Sequence, residues 1–158
     1  MCLMDLDSTD CRILAALQGD GRLTNVDLAE RVALSPSPCL RRVKRLEAAG
    51  VVQGYRAVLD REAVGLGLTV FVEIKVERHS RENAQTLQDA LAAMPEVVSC
   101  HMVSGTADFL VEIVVADLRA YEVLLTNRLL TFPMVADIRS NVSLRRIKSD
   151  VPLPLPGR

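Results

Sequence analysis

The feature that most constrains this chain is a segment between Glu30 and Glu47 that contains five basic residues and no acidic one. Its central part, residues 34–46, reads LSPSPCLRRVKRL. A helix that begins near Ser37 would place Pro38 in its first turn, where the missing N–H of proline removes no helical hydrogen bond. The segment therefore predicts a helix with a defined start and a high density of positive charge.

The predicted helix has one apolar face and a basic ridge on its other sides. At about 100° per residue, three apolar residues share one face: Leu40, Val43 and Leu46. Four bases occupy the remaining surface: Arg41, Arg42, Lys44 and Arg45. Such a ridge suits a phosphate backbone or a guanine edge, to which the planar guanidinium donates two hydrogen bonds. An isolated basic run is more often a solvated helix face, so the neighbouring elements decide between the two interpretations.

Two short helices are predicted upstream of the basic helix. Ser8 or Thr9 can cap the first, and Thr24 can cap the second, because small hydroxyl residues accept hydrogen bonds from a helix's first N–H groups. A short turn at residues 34–36 leads into the basic helix, and residues 51–59 after it are extended, as in a linker or wing. Two short helices, a tight turn and a basic third helix indicate a helix-turn-helix.

Charge and composition exclude several classes of protein. Residues 1–60 contain eight basic and eight acidic residues, so any attraction for DNA must be local. The 49% apolar content excludes a disordered chain. No apolar run reaches the roughly 18 residues that a membrane span needs, and we expect a cytoplasmic protein. The four cysteines form no CxxC pair or Cys/His cluster, so they indicate neither a zinc site nor a disulfide framework. We also expect no cofactor.

The second half of the chain changes from helical to alternating spacing after Gly65 and Gly67. The predicted elements are, in order, a strand at 70–76, a helix capped by Ser80 and ended by Pro95, strands at 97–103 and 109–115, a helix capped by Asp117, and a long strand at 135–147. The order βαββαβ is the ferredoxin-like plan, with one antiparallel sheet and both helices on one face. The other face needs a cover, and a second copy of the chain is the simplest one.

These observations predict an α+β chain in three parts. Residues 1–60 would form an N-terminal winged helix-turn-helix with a linker strand. Residues 61–150 would form a ferredoxin-like βαββαβ sandwich domain for effector binding and oligomerisation. Residues 151–158 contain alternating prolines that exclude a helix, so we expect an extended tail.

Four segments together resemble one family of regulators. They are LDSTDCRILAALQGDGR, LAERVALSPSPCLRRVKRLEAAGVV, MVSGTADFLV and FPMVADIRSNVSLRRIK. In this succession they resemble the feast/famine regulators of bacteria and archaea, the leucine-responsive and asparagine-responsive (Lrp/AsnC) family. The resemblance implies a transcription factor that dimerises through its carboxy-terminal sheets, commonly assembles four dimers into an octamer, and senses an amino acid between dimers.

The residues and the resemblance together give two sets of candidate site residues. Candidates for contact with double-stranded promoter DNA are Ser35, Ser37, Pro38, Arg41, Arg42, Lys44 and Arg45. The resemblance implies effector-binding positions at Met102, Ser104, Gly105, Thr106, Asp108, Asn141, Val142 and Ser143. In the second set, Asp108 could accept an ammonium group and Gly105 could let backbone N–H groups approach a carboxylate. Alternatively, Gly105 only forms a hairpin that Asp108 stabilises.

The identity of the effector stays open at this point. Phe109 stands where many relatives have tyrosine, and the polar Asn141 and Ser143 stand where leucine responders often have larger or more apolar residues. Those departures favour a small or polar amino acid. Met102 and Val142 would equally accept a branched or thioether side chain, so leucine, methionine and a more polar amino acid all remain candidates.

Two other classes of function compete with a regulator. Sirohaem decarboxylases look similar in both halves, but that chemistry needs histidines that converge on a pocket, and the chain has only His79 and His101. The two histidines have no metal-ligating partner at suitable spacing. A sensing or assembly module without DNA binding is the other alternative, and the basic helix argues against it. With no phosphate loop, GxSxG elbow or HExxH, we expect no enzyme.

Overall fold

A computed structural model describes most of the chain, in the ranges 5–77, 81–149 and 151–155. His79 and the predicted cap Ser80 lie outside these described residues. The chain forms two compact units: Met1–Val58 with Lys148–Arg158, and Leu59–Ile147. No helix among the described residues is long and apolar enough to span a membrane.

The first unit contains three helices: α1 (Ser8–Gly19), α2 (Asn25–Arg31) and α3 (Pro36–Ala48). Thr24 caps α2 by accepting a hydrogen bond from the Asp27 backbone N–H at 3.2 Å, which confirms the prediction. The prediction that Ser8 or Thr9 caps α1 was wrong. Asp7 is the cap, because its carboxylate accepts a 2.7 Å hydrogen bond from the Asp10 N–H while Asp10 accepts one from the Asp7 N–H.

Helix α3 begins at Pro36, slightly earlier than predicted, and Ser35 is the residue before it. Its inner face also differs from the prediction, because Leu40 is 42% exposed. The fully buried residues are Cys39 and Leu46, with Val43 half-buried between them. Residues four and seven positions apart in a helix lie within about 40° of one another, so Cys39 forms a narrower apolar stripe with these two residues than Leu40 does.

The three helices share a small apolar core. Its buried residues are Ile13, Leu14, Leu28, Ala29, Val32, Cys39 and Leu46. The turn between α2 and α3 contains Ala33 with φ of 56°, a left-handed conformation that is uncommon for a residue with a side chain. Residues 51–59 after α3 form no strand in the described chain, unlike the predicted linker strand. Residues 51 and 52 form a bend, and the N–H groups of Val51 and Val52 both donate to the Leu46 carbonyl.

The second unit contains the predicted βαββαβ order. Its elements are β1 (Leu68–Val76), α4 (Arg81–Ala92), β2 (Val97–Met102), β3 (Phe109–Val115), α5 (Leu118–Asn127), a 3₁₀ turn (Leu129–Thr131) and β4 (Val135–Val142). The strands form one sheet in the order β2-β3-β1-β4, and all neighbours are antiparallel. Asp117 caps α5 as predicted, since its carboxylate accepts a 2.8 Å hydrogen bond from the Ala120 N–H.

One face of this sheet carries the core, as the alternation in β1 predicted. Val70, Val72 and Ile74 are completely buried, and their partners across β3 are Ile113, Val111 and Phe109. Leu87 and Leu91 of α4 and Leu124 of α5 complete the core on the helix side. Burial of these branched side chains contributes roughly 25 cal/mol per Å² of apolar area removed from water, and this term stabilises the unit.

Strand β4 is shorter than the predicted range 135–147. It ends at Val142, and the Ser143 N–H makes the last hydrogen bond, 2.9 Å long, to the Thr69 carbonyl. Strand β1 begins at Leu68, so only one of its residues lies beyond this point. Residues 144–147 therefore leave the sheet, and Leu144 is almost fully exposed.

The other sheet face carries mixed charge around one aromatic residue. Phe71 lies in the central strand β1 and is 40% exposed. Beside it on the same face, Glu73 pairs in register with Arg139, and Lys75 pairs with Asp137. We call this surface, Phe71 with Glu73, Lys75, Asp137 and Arg139, the open sheet face.

Candidate nucleic-acid interface and effector site

The outward surface of α3 is a row of four residues at helical spacing. Leu40 and Arg41 lie three and four positions after Ser37, Lys44 lies four and three positions after them, and all four residues are exposed. Arg41 and Lys44 form no ion pair with any residue in the described part of the chain. We call this row the outward face of α3. It offers two cations, a hydroxyl and an apolar contact to a groove.

Two other bases of α3 are already paired within the protein. Arg42 donates from Nη1 to Asp7 at 2.7 Å and to Asp10 at 2.8 Å. Arg45 donates from Nη2 to the other carboxylate oxygen of Asp10. The side chain of Asp10 is only 1% exposed, so it is a buried carboxylate with an arginine at each oxygen. These pairs fasten α3 to the start of α1.

The electrostatics of this cluster favour the ionised forms. The hydrogen bond from the Asp10 N–H, together with Arg42, lowers the pKa of the Asp7 carboxyl below its ordinary value. Hydrogen bonds to Asp7 and Asp10 raise the pKa of the Arg42 guanidinium. A buried carboxylate is stable only when its charge is compensated, and loss of one partner leaves a penalty of a few kcal/mol. Arg42 and Arg45 are therefore structural partners of Asp10 before any DNA is present.

The start of α3 has few backbone donors for a phosphate. Pro36 and Pro38 have no N–H, and the Cys39 N–H donates to the Ser35 carbonyl at 3.2 Å. Of the first four helical positions, Ser37 alone therefore keeps an N–H directed out of the helix. The hydroxyls of Ser35 and Ser37 are exposed at the same place. A phosphate here would rely on these hydroxyls and one backbone donor.

The predicted effector turn joins β2 to β3. Gly105 has φ of 134°, which favours glycine. Asp108 binds the neighbouring strand β1, because its N–H donates to the Ile74 carbonyl at 2.9 Å and its Oδ2 accepts from the Val76 N–H at 2.8 Å. Asp108 thus stabilises the turn, and this hydrogen bonding is part of its chemistry whether or not a ligand binds.

The structure does not bring all the effector candidates of one chain together. Phe109, next to the turn, pairs with Ile74, whereas Val142 pairs with Val70. Four residues along a strand span about 13 Å, and the turn lies beyond Phe109. Asn141, Val142 and Ser143 therefore lie toward the opposite end of the sheet from Ser104, Gly105, Thr106 and Asp108. Met102 ends β2 beside the turn and is largely exposed.

A polar cavity adjoins the turn on the open sheet face. It has a volume of about 400 Å³ and is lined by Glu73, Lys75, Thr106, Ala107, Ala136, Asp137 and Arg139. Sequence reasoning identified Thr106 but missed the four charged residues, because alternating charges on a strand resemble an ordinary solvated face.

Sequence reasoning also missed Asp7 and Asp10 as partners of the arginines of α3. The pattern of acids three residues apart before an apolar helix is a capping-box signal, but it gives no indication of long-range arginine partners.

Comparison with known proteins identifies the family. Residues 6–53 match the family model of a winged helix-turn-helix DNA-binding domain, and residues 69–153 match that of the Lrp/AsnC ligand binding domain. The chain belongs to the Lrp/AsnC family. Its DNA-binding and ligand-binding domains confirm the predicted α+β fold class and the interpretation as an amino-acid-linked transcriptional regulator over the two alternatives.

Named relatives of this Lrp/AsnC protein are regulators. The leucine-responsive regulatory protein of Klebsiella pneumoniae is 44% identical over 144 residues, which cover 91% of this chain and 88% of the relative. That of Haemophilus influenzae is 43% identical over 143 residues, 90% of this chain and 86% of the relative. Both are similar to this chain along nearly its whole length.

Solved structures of transcriptional regulators share the fold of this Lrp/AsnC protein. A transcriptional regulator of Neisseria meningitidis, crystallised as a complex with L-methionine, is 43% identical and superposes with a TM-score of 0.92 over 96% of this chain and 98% of that chain. An AsnC family regulator of Agrobacterium tumefaciens is 36% identical, with a TM-score of 0.90 over 94% and 97% of the two chains.

The lowered pKa of Asp7 predicts a specific dependence of stability on pH. Folding favours the ionised carboxyl, so its stabilisation is complete above the ordinary pKa of 3.8 and is lost as the pH falls through the lower folded value. The difference in Tm between the wild type and Asp7→Asn should therefore be larger at pH 6 than at pH 3. Calorimetry at both pH values measures it, with Asp5→Asn as the control. An equal difference at the two pH values would contradict this account.

Proposed function

We propose that this protein binds specific promoter sequences as a homodimer and that an amino acid on its second unit modulates this binding or the assembly of dimers. The observation that carries the proposal is the outward face of α3, which is exposed while the helix itself is fixed by the Asp10 pairs. A recognition helix must be rigid and must present donors and apolar groups to the major groove. Both conditions are met by one helix.

The residues of the outward face differ in what they can contact. Arg41 can donate two hydrogen bonds to a guanine edge or bind a phosphate, and Lys44 can bind a phosphate as a point charge. Leu40 offers an apolar surface to a thymine methyl group. Ser37, with Ser35 and Pro38 beside it, lies at the helix start, where a phosphate can approach. Direct base contact therefore falls mainly to Arg41 and Leu40.

Arg42 and Arg45 remain in the proposed interface, but they also hold α3 in place through Asp10. The Arg42 side chain is 29% exposed and binds two carboxylates, whereas that of Arg45 is 49% exposed and has donors beyond the one that binds Asp10. Arg45 can thus bind a phosphate while Asp10 holds its position. Arg42 contributes mainly by fixing α3.

Substitution of Arg41 tests the interface most directly. Arg41→Ala should weaken binding to an operator duplex by about 1–3 kcal/mol if Arg41 contacts a guanine, with little change in Tm, because no ion pair within the described chain is lost. Arg45→Ala should weaken binding and also lower the Tm, since it removes a partner of buried Asp10. Fluorescence anisotropy and thermal melts measure both effects.

The control for these variants is Arg119→Ala, which removes an exposed arginine of the other unit. It should leave operator affinity unchanged. Operator binding by Arg41→Ala that equals the wild-type value would exclude Arg41 from the interface.

We infer that the amino acid binds at the turn of residues 104–108. Gly105 allows close approach of a carboxylate to the backbone, and Asp108 places a carboxylate near the same point. Met102 supplies exposed apolar surface for the side chain of the amino acid. Val142 could supply more, but the Val142 of the same chain is too far from the turn to reach the same ligand. The second group, Asn141 to Ser143, would therefore come from another copy. The regulator of Neisseria meningitidis in its L-methionine complex and the leucine-responsive relatives favour leucine or methionine.

Removal of the Asp108 charge should separate ligand binding from DNA binding. Asp108→Asn keeps an oxygen that can accept from the Val76 N–H but loses the charge that would pair with an ammonium group. Affinity for the amino acid should fall about tenfold or more, while operator affinity without the amino acid stays within about twofold. Isothermal titration and anisotropy measure the two affinities, with Asp89→Asn as the control. Unchanged amino-acid affinity would remove Asp108 from the site.

We also propose that the open sheet face is the dimer interface and that dimers assemble further, up to an octamer. The surface has two acids and two bases around Phe71, and such a patch can pair with its own copy across a two-fold axis. Phe71 supplies a central apolar contact. As the named relatives are transcriptional regulators, we propose no catalytic activity and a cytoplasmic location, where promoter DNA is accessible.

A charge at Phe71 should disrupt the dimer. Phe71→Asp places a further acid opposite Glu112 of β3 and beside Glu73, and it should shift the mass measured by light scattering toward the monomer at micromolar concentration. Val26→Asp, an equally drastic change at an exposed residue of α2, serves as the control and should leave the mass unchanged. A Phe71→Asp protein with the wild-type mass would show that this face is not the dimer interface.

A further inference from the structure

The DNA-binding unit contains an apolar groove that its three helices do not fill. With the tail in place, about 320 Å³ of the groove remains open, and its apolar wall is formed by Leu6, Leu14, Leu17, Val51, Val52 and Tyr55. Leu153 and Leu155 of the carboxy-terminal tail also line it. Leu155 is half-buried and packs against the helical core. A segment more than 90 positions away in the sequence thus covers part of the core of this unit.

One glutamine binds the backbone of the tail. The Leu153 N–H donates to Gln18 Oε1 at 2.5 Å, and Gln18 Nε2 donates to the Leu153 carbonyl at 3.4 Å. The side-chain amide thus pairs with both backbone groups of one residue, as a neighbouring strand would. Pro152 and Pro154 have no N–H, so Leu153 presents the only backbone donor between them. The alternating prolines keep this stretch extended. They also leave Leu153 as the one residue between them whose N–H needs a hydrogen-bond acceptor, and Gln18 supplies it.

The tail also affects how the two units are connected. The chain leaves the DNA-binding unit after Val58 and returns to it at Lys148, so it crosses between the units twice. The second crossing can transmit a change from one unit to the other only if the tail stays attached to the DNA-binding unit. The groove and Gln18 supply that attachment.

We propose that residues 151–155 are a strap that fastens the carboxy-terminal end of the chain into the groove of the DNA-binding unit. The partner of the apolar wall is this segment of the chain itself, which forms the opposite side of the groove. Leu155 fills apolar space, Gln18 fixes the register through Leu153, and the strap makes the second crossing a fixed connection. The DNA-binding unit is then a composite of residues from both ends of the sequence.

Hydrogen exchange of the full-length protein without DNA or amino acid tests the strap independently of the proposed function. The reporters are the N–H groups of Val51 and Val52, which donate to the Leu46 carbonyl beside the groove. Leu155→Asp, and a chain that ends at Ser149, should both exchange these amides about tenfold faster than the wild type. Gln18→Ala should have a smaller effect in the same direction.

The controls are Val151→Asp, which places the same charge in the tail at a residue that does not line the groove, and Gln85→Ala, which removes an exposed glutamine of α4. Both should leave the reporter amides unchanged. If the shortened chain and Leu155→Asp also leave them unchanged, the strap proposal is overturned, and this result would not affect the DNA-binding assignment.

A second measurement rests on the proposed function. If the strap is a fixed connection, the shortened chain should keep its operator affinity within about twofold but lose most of the change in affinity that the amino acid produces. An amino-acid response of wild-type size in a chain whose reporter amides do exchange faster would overturn the idea that the strap acts as a connection.

Discussion

The DNA-binding unit depends on one buried carboxylate. Asp10 lies at the start of α1, where it completes a capping box with Asp7 and accepts hydrogen bonds from Arg42 and Arg45 of α3. Without these partners the ionised side chain would not remain buried, and without the carboxylate two arginines would lose their fixed positions. The same contact therefore stabilises the start of one helix and sets the orientation of another.

This contact divides the basic residues of α3 into two groups. Arg42 and Arg45 point back toward the protein, and Arg41 and Lys44 point away from it together with Ser37 and Leu40. Residues 1–60 contain equal numbers of basic and acidic residues, and Asp7 and Asp10 pair with two of the four bases of α3. In the proposed interface the attraction for DNA is confined to a narrow surface, and a narrow charged surface favours specific over general binding.

Much of this could be predicted from the sequence, for reasons that differ between elements. Alternating Val70, Val72 and Ile74 predicted a half-buried strand, since one face of a sheet must be covered, and the βαββαβ order followed. Leu40 was placed on the wrong side because Cys39 is a weaker apolar signal than leucine, although its spacing to Leu46 fits the buried stripe better. The Asp10 pairs span more than 30 positions in the sequence, and helix periodicity contains no information at that distance. The separation of the two effector groups depends on strand register, which is set only when the sheet forms.

The central claim is that a DNA-binding helix fixed inside one unit responds to an amino acid bound on another unit. The most direct test is an anisotropy titration of a duplex from the region upstream of the protein's own coding sequence, compared with a scrambled duplex of equal length. Each titration is repeated with leucine, with methionine and with a small polar amino acid. The account predicts tighter binding to the upstream duplex and a change of its midpoint with one amino acid. Equal affinity for the two duplexes, unaltered by all three amino acids, would contradict it.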